Sequence, residues 1–127
     1  DRFGIVTLEP LHRMSDAEAE EFLLSLPGVG PKAARCVMMY SLDRQVFPVD
    51  SHCRRVMARL GYLPSGVDRK AAHDVLQDEV PPPIRHSLHV NLVHHGKSIC
   101  VPDMPRCEIC PIRELCRTGR RRFGRDD

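Results

Sequence analysis

Four cysteines near the C-terminal end are the residues of this chain best placed to do chemistry. Cys100, Cys107, Cys110 and Cys116 read C-x6-C-x2-C-x5-C and fall within seventeen residues. Four thiolates can hold a zinc ion or a [4Fe–4S] cluster. Zinc sites usually draw on two close pairs, and here only Cys107 and Cys110 form one. The uneven spacing therefore favours iron–sulfur, with zinc as the alternative. Pro102, Pro105 and Pro111 stiffen the loops between the ligands. No signal-peptide pattern opens the sequence, so clustered cysteines point to metal before disulfides. Cys36 and Cys53 lie in apolar helical patterns and are expected as buried free thiols.

A lysine and an aspartate form a second candidate pair. Leu26-Pro27-Gly28-Val29-Gly30-Pro31-Lys32 joins two helical patterns through a short glycine-rich turn. Glycines leave backbone N–H groups unobstructed, and the helix that follows offers its positive end, so Gly28, Val29 and Gly30 can seat a phosphate. Taken alone, such a turn is more often a plain connection. Lys32 changes the balance, because a cation in the first turn of an otherwise apolar helix is electrostatically misplaced. A lysine amine is a nucleophile only when deprotonated, and burial beside a positive helix end would favour that form. Asp50, in Phe47-Pro48-Val49-Asp50-Ser51-His52, reads first as a helix N-cap. Its second reading is a carboxylate that takes a proton or stabilises positive charge on a sugar. His52 and Arg54 follow as a surface histidine and arginine or as phosphate contacts.

The elements that must position these residues read as helices throughout, an all-α fold. Ser15 and Glu18 have capping-box spacing, and Ala19, Phe22, Leu23 and Leu26 mark one face behind them. Pro31 suits the first position of a helix to about Leu42, apolar nearly all round and so expected inside a larger core. Asp50 or Ser51 caps a third helix with Cys53, Val56, Met57 and Leu60 inward and Gly61 as its C-terminal cap. Asp68 caps a fourth, with Ala71, Ala72, Val75 and Leu76 inward. Pro81, Pro82 and Pro83 break the pattern. A fifth helix carries Ile84, Leu88 and Leu92 and closes at Gly96. No strand pattern finds a partner.

Composition bounds the function classes. The chain has 127 residues, 42% hydrophobic and 28% charged, as in one ordinary globular domain. No apolar run approaches the ~18 residues a bilayer span needs, so no membrane partner is expected. The net charge of +2 does not by itself announce a nucleic-acid binder. Arg54, Arg55 and Arg59 offer local charge for phosphate contacts. Arg117, Arg120, Arg121, Arg122 and Arg125 form a basic end that reads as a solvated, flexible tail over residues 117–127. A first residue of Asp1 in place of methionine suggests a fragment.

Three strings then point to a family. LPGVGPKAA, FPVDSHCRRVMARLG and HHGKSIC-x6-C-x2-C-x5-C stand in that order along the chain. Together they resemble the endonuclease III group of helix–hairpin–helix DNA glycosylases, from about Phe3 to Cys116. The resemblance implies a partial helix–hairpin–helix glycosylase fold with a C-terminal [4Fe–4S] segment. Residues 1–49 would close a helical barrel lobe and carry the hairpin, 50–99 would form helices of the cluster lobe, and 100–116 would form the cluster loop. Family members carry several more helices before this segment, which supply much of the damaged-base pocket.

The same resemblance implies a role for each motif residue. Lys32 matches the Schiff-base lysine, Asp50 the catalytic aspartate, and the four cysteines the cluster ligands. Gly28, Val29, Gly30, Lys32, His52 and Arg54 would touch DNA. Relatives that only remove a base lack the lysine, so its presence implies the bifunctional branch: base excision followed by β-elimination at the abasic site, with oxidised pyrimidines as substrates. The implied partner is double-stranded DNA with a damaged or abasic site, and the full-length protein would be a monomer. The competing reading is a non-catalytic DNA-binding module. Ala33 and Ser51 stand where threonines are usual, and Asp103 partly offsets Arg106 in a cluster loop that is usually basic.

Overall fold

A computed structural model describes residues 7–64 and 66–123. Among these residues there are helices and no strands. Six α-helices follow one another: α1 Asp16–Leu24, α2 Pro31–Tyr40, α3 Ser51–Leu60, α4 Arg69–Glu79, α5 Arg85–Ser98 and α6 Arg117–Phe123. Short 3-10 turns precede α1, join α4 to α5, and punctuate the cysteine segment.

Side-chain chemistry sets the ends of these helices. Ser15 accepts from the Glu18 amide while Glu18 reaches back to the Ser15 amide, a complete capping box. Asp50 caps α3 and Asp68 caps α4 through the same N-cap hydrogen bond. Gly61 ends α3 at φ 108°, a left-handed conformation that a side chain would strain.

The buried apolar residues fall into two clusters. Leu11, Ala19, Leu23, Ala34, Met38, Met39, Leu42 and Val46 pack α1 on α2. Phe47, Val49, Cys53, Val56, Met57, Leu63, Ala72, Leu76, Val80 and Leu92 join α3, α4 and α5. The change of core falls between Val46 and Phe47.

Arg35 spans the two. It is 5% exposed. From α2 it binds Glu20 on α1 at 2.8 Å, and on α4 the His73 carbonyl at 3.0 Å and Asp74 at 3.3 Å. A buried guanidinium is tolerated only when its fork is filled, as here. This residue corrects the expectation of an α2 that is apolar nearly all round. The helix is one-sided: Ala34, Arg35, Met38 and Met39 face inward, while Lys32, Ala33 and Tyr40 are exposed.

Three further expectations change. The basic end is no flexible tail over residues 117–123. It is α6, held where the Thr118 hydroxyl donates to the Arg59 carbonyl and where Gly119 lies against the Arg113 backbone too closely for any Cβ. Residues 124–127 lie outside the described residues. Helix α5 does not close at Gly96 but runs to Ser98. Gly96 is instead a close approach, since a Cβ there would meet His52 Cβ at 2.9 Å and Arg55 Nη2 at 3.0 Å. Cys53 is buried and Cys36 only half-buried, both as free thiols.

His73 and His89 give the fold a pH dependence. Burial, joined by the Arg35 charge, pushes the His73 ring below its ordinary value. Burial also pushes His89 down, outweighing the Pro48 carbonyl and Asp50, which act to raise it. The unfolded chain therefore takes up protons near pH ~6.5 that the folded chain still refuses. Stability is full above that pH and falls as the solution is acidified towards the depressed folded values. The midpoint of thermal unfolding, followed by circular dichroism, is expected to fall between pH 7.5 and 5.5, and to fall less in a His73→Gln chain. Equal midpoints at the two pH values would refute this.

Candidate functional site

The α1–α2 connection presents the hairpin. Gly28 adopts φ 79°, where a side chain would be strained, so this position depends on glycine. Gly30 is the N-cap of α2 and provides no side-chain cap, which leaves the first amides of α2 without that partner. Both glycines are exposed, and open space lies where their Cβ atoms would be. Val29 between them turns inward and packs against the first core. The turn therefore shows backbone outward and side chain inward, the arrangement a phosphate seat requires.

Directly after this turn, Lys32 reaches a cleft of about 820 Å³ whose lining also includes Asp50, His52, Arg54, Lys97 and Arg117. The candidate lysine and the candidate aspartate, eighteen positions apart in sequence, thus line one space. Lys32 is exposed, so the burial expected around it is absent. Gly28, Val29 and Gly30 do not line the cleft but stand on the turn leading to it.

Asp50 is held more firmly. Its Oδ1 accepts from the Cys53 amide at 2.8 Å. Burial acts to raise its carboxyl, but the Cys53 hydrogen bonds and the nearby His89 and His52 outweigh it. The net effect lowers Asp50 below the ordinary carboxylate value. It is therefore an anion at neutral pH, set in a cleft whose other charged side chains are cationic. Cys36, one turn along α2 from Lys32, feels both: the lysine acts to lower its thiol, Asp50 acts to raise it, and burial dominates and raises it.

The arginines of α3 are not all available for DNA. Arg54 donates to the Val67 carbonyl at 2.9 Å. Arg55 donates to the Gly96 carbonyl at 2.7 Å and to the Cys100 carbonyl at 3.0 Å. Arg59 donates to the Val101 carbonyl at 2.7 Å and to Cys100 Sγ at 3.3 Å. Arg55 and Arg59 thus bind the start of the cysteine segment to α3, the helix that begins at Asp50. Lys97 lines the cleft without having been singled out in the sequence, and Arg117, read there only as part of a solvated tail, lines it too, because their neighbours in space come from other helices.

The four cysteines converge. Cys100, Cys107, Cys110 and Cys116 line one small cavity, walled by Val56, Leu60, Ile99 and Ile112. Burial raises the Cys110 thiol, and the other three cysteines raise it further, as expected of thiolates crowded together. A polar atom stands near each sulfur. Arg59 reaches Cys100, and Arg122 reaches Cys107 at 3.4 Å. His95 Nε2 lies 3.6 Å from Cys110, and the Gly119 amide donates to Cys116 at 3.5 Å. Donors of this kind support bound thiolates. Among the described residues, no three ligand-type side chains gather closely enough to hold a single ion. The four sulfurs border one cavity instead.

No family model matches the chain. Endonuclease III of Sulfolobus acidocaldarius is 33% identical over 97 residues, which cover 76% of this chain and 44% of that protein. The DNA glycosylase/AP lyase ROS1 of Arabidopsis thaliana is 28% identical over 131 residues, 90% of this chain and 9% of that protein. A solved endonuclease III, trapped as a covalent intermediate with DNA, superposes with a TM-score of 0.75 at 28% identity, covering 91% of this chain and 55% of its own.

The chain belongs to the endonuclease III family.

It spans about half the length of that solved endonuclease III, and less of the curated relatives. The helices described here are those of the endonuclease III fold. Within that fold, the hairpin, the Asp50 helix and the four-cysteine cavity appear in the order in which the sequence carries them.

Proposed function

We propose that this chain is the catalytic and cysteine-bearing portion of a base-excision DNA glycosylase that also cleaves abasic sites. The observation that carries the reading is the shared cleft: Lys32, at the mouth of the hairpin helix, and ionised Asp50 line the same space. Family membership and the DNA-bound endonuclease III neighbours support it.

The reaction follows from the two side chains. An extruded damaged nucleotide enters the cleft. As the bond from C1′ to the base breaks, the base leaves with the bonding electrons and positive charge grows on the sugar. The Asp50 carboxylate stabilises that charge. The Lys32 amine bonds to C1′ and gives one proton to the departing base, and ring opening moves a second from Nζ to the ring oxygen, leaving an imine between Nζ and C1′. Loss of a C2′ proton then expels the 3′ phosphate, and water releases Lys32 from the product. Gly28, Gly30 and the first amides of α2, with His52, Arg54, Lys97 and Arg117, hold the phosphates on either side. Oxidised pyrimidines are the substrate class we assign. Borohydride tests the reading: the full-length protein should be captured covalently on DNA with an abasic site, whereas a non-catalytic binding module would bind that DNA and leave it uncrosslinked.

Cys100, Cys107, Cys110 and Cys116 fit a [4Fe–4S] cluster, which when bound would cross-link residues 100–116 to one another through iron–thiolate bonds. Protein prepared without oxygen is expected to contain about four iron and four sulfide per chain. Zinc in their place, measured by elemental analysis, would refute this assignment.

A further inference from the structure

A buried histidine of α5 touches the segment that leads into Asp50. His89 of α5 is 3% exposed and lies outside the cleft lining. Its Nδ1 is 2.9 Å from the Pro48 carbonyl oxygen, which can only accept, so the ring carries its proton on Nδ1 and donates it there. The same nitrogen lies 3.5 Å from Cys53 Sγ, in the residue whose amide donates to Asp50. Its ring meets Tyr40 of α2 edge to face at 5.9 Å and Phe47 at 6.2 Å. One side chain thus touches the lysine helix, the segment that leads into Asp50, and the first turn of α3.

That segment needs such support. Val46, Phe47, Pro48 and Val49 are buried yet form neither helix nor strand, so no ladder fixes their backbone. Side chains take over: the Phe47 amide donates to Gln77 at 2.8 Å, and the Gln45 carbonyl accepts from Arg85 at 2.8 Å. His89 holds Pro48, two residues from Asp50. Burial pushes the ring below its ordinary value, and the 2.9 Å contact makes it a directed donor to the Pro48 carbonyl.

We propose that His89 is a positioning residue for Asp50, holding the Pro48 carbonyl so that the carboxylate is delivered to the cleft that Lys32 enters. This rests on the glycosylase reading above. Leucine at this position keeps the apolar contacts and loses the donor. Asparagine can place its side-chain amide N–H where Nδ1–H stands. In the full-length protein, His89→Leu is expected to slow single-turnover base release on the order of 10- to 100-fold, as a small misplacement of a reacting group does. It should leave the Kd for duplex DNA unchanged. His89→Asn should restore most of the rate.

Hydrogen exchange of the Cys53 amide, which needs no catalysis, should be faster in His89→Leu and protected again in His89→Asn. Nitrogen-15 shifts of the wild-type ring should place the proton on Nδ1. A proton on Nε2, equal losses in both variants, or wild-type rate and protection in His89→Leu would each overturn the proposal. Failure of the wild-type protein in the borohydride test would instead overturn the glycosylase reading, while the exchange and ring-shift results still decide whether His89 holds Asp50.

Discussion

Replacing Lys32 by glutamine is expected to abolish covalent trapping on abasic DNA while leaving DNA binding nearly intact. The trapped species is a reduced imine, and an imine needs a primary amine at the sugar carbon. Glutamine keeps much of the length of lysine but has no such amine. Lys32 is exposed, so the change empties no core and should cost little stability, as surface substitutions generally do. It removes one positive charge from a cleft that also contains Arg54, Lys97 and Arg117, so binding should weaken only by the share of one phosphate contact. Lys97 is the built-in control, being a second primary amine lining the same cleft. Lys97→Gln should still trap. Trapping that survives Lys32→Gln and disappears in Lys97→Gln would move the nucleophile from α2 to α5.

The second large effect is expected at Asp50, where the structure separates two roles in one side chain. As an N-cap, Asp50 accepts from the Cys53 amide, and asparagine caps a helix about as well. As an anion, it sits among cations with its carboxyl held below the ordinary value, so it carries its charge at neutral pH. Asp50→Asn preserves the first role and deletes the second. Base release measured under single-turnover conditions should fall by about 10²- to 10³-fold, the cost of losing one group aimed at transition-state charge. The thermal unfolding midpoint should stay close to wild type. Asp50→Ala, which loses the cap as well, should also destabilise the chain by ~1 kcal/mol. A wild-type rate in Asp50→Asn would reduce Asp50 to a cap and remove half of the proposed catalytic pair.

Separate contacts fix the helices that carry Lys32 and Asp50. The turn at Gly28 fixes the direction in which α2 leaves, and Lys32 follows two residues after Gly30. Arg35, one turn further along the same helix, ties α2 to α4 through the His73 carbonyl and Asp74. On the other side, Arg55 and Arg59 tie α3 to the cysteine segment. The cleft is therefore framed by two arginine-built joints, one for each catalytic candidate.

Much of this protein can be read from local sequence. Helix ends are local chemistry: the Ser15–Glu18 capping box, Asp50 and Asp68 as N-caps, and Gly61 as a left-handed stop involve groups within a few residues of one another. The cysteine motif and the glycine-rich turn are legible for the same reason, since their function lies in spacing along the chain. What tertiary structure alone decides is which distant groups meet. Arg35 looks like one more charge in an apolar helix until α1 and α4 fill its fork. Arg55 and Arg59 look like phosphate contacts until the carbonyls of residues 96–102 take their donors. The basic end looks like a solvated tail until Thr118 and Gly119 seat it as α6. In each case a polar group that local sequence would leave to water is instead paired across more than twelve residues or packed against a neighbouring turn, and a buried polar group is stable only when so satisfied. Periodicity records which face of a helix avoids water. It carries no record of which carbonyl, on which other helix, stands ready to replace that water.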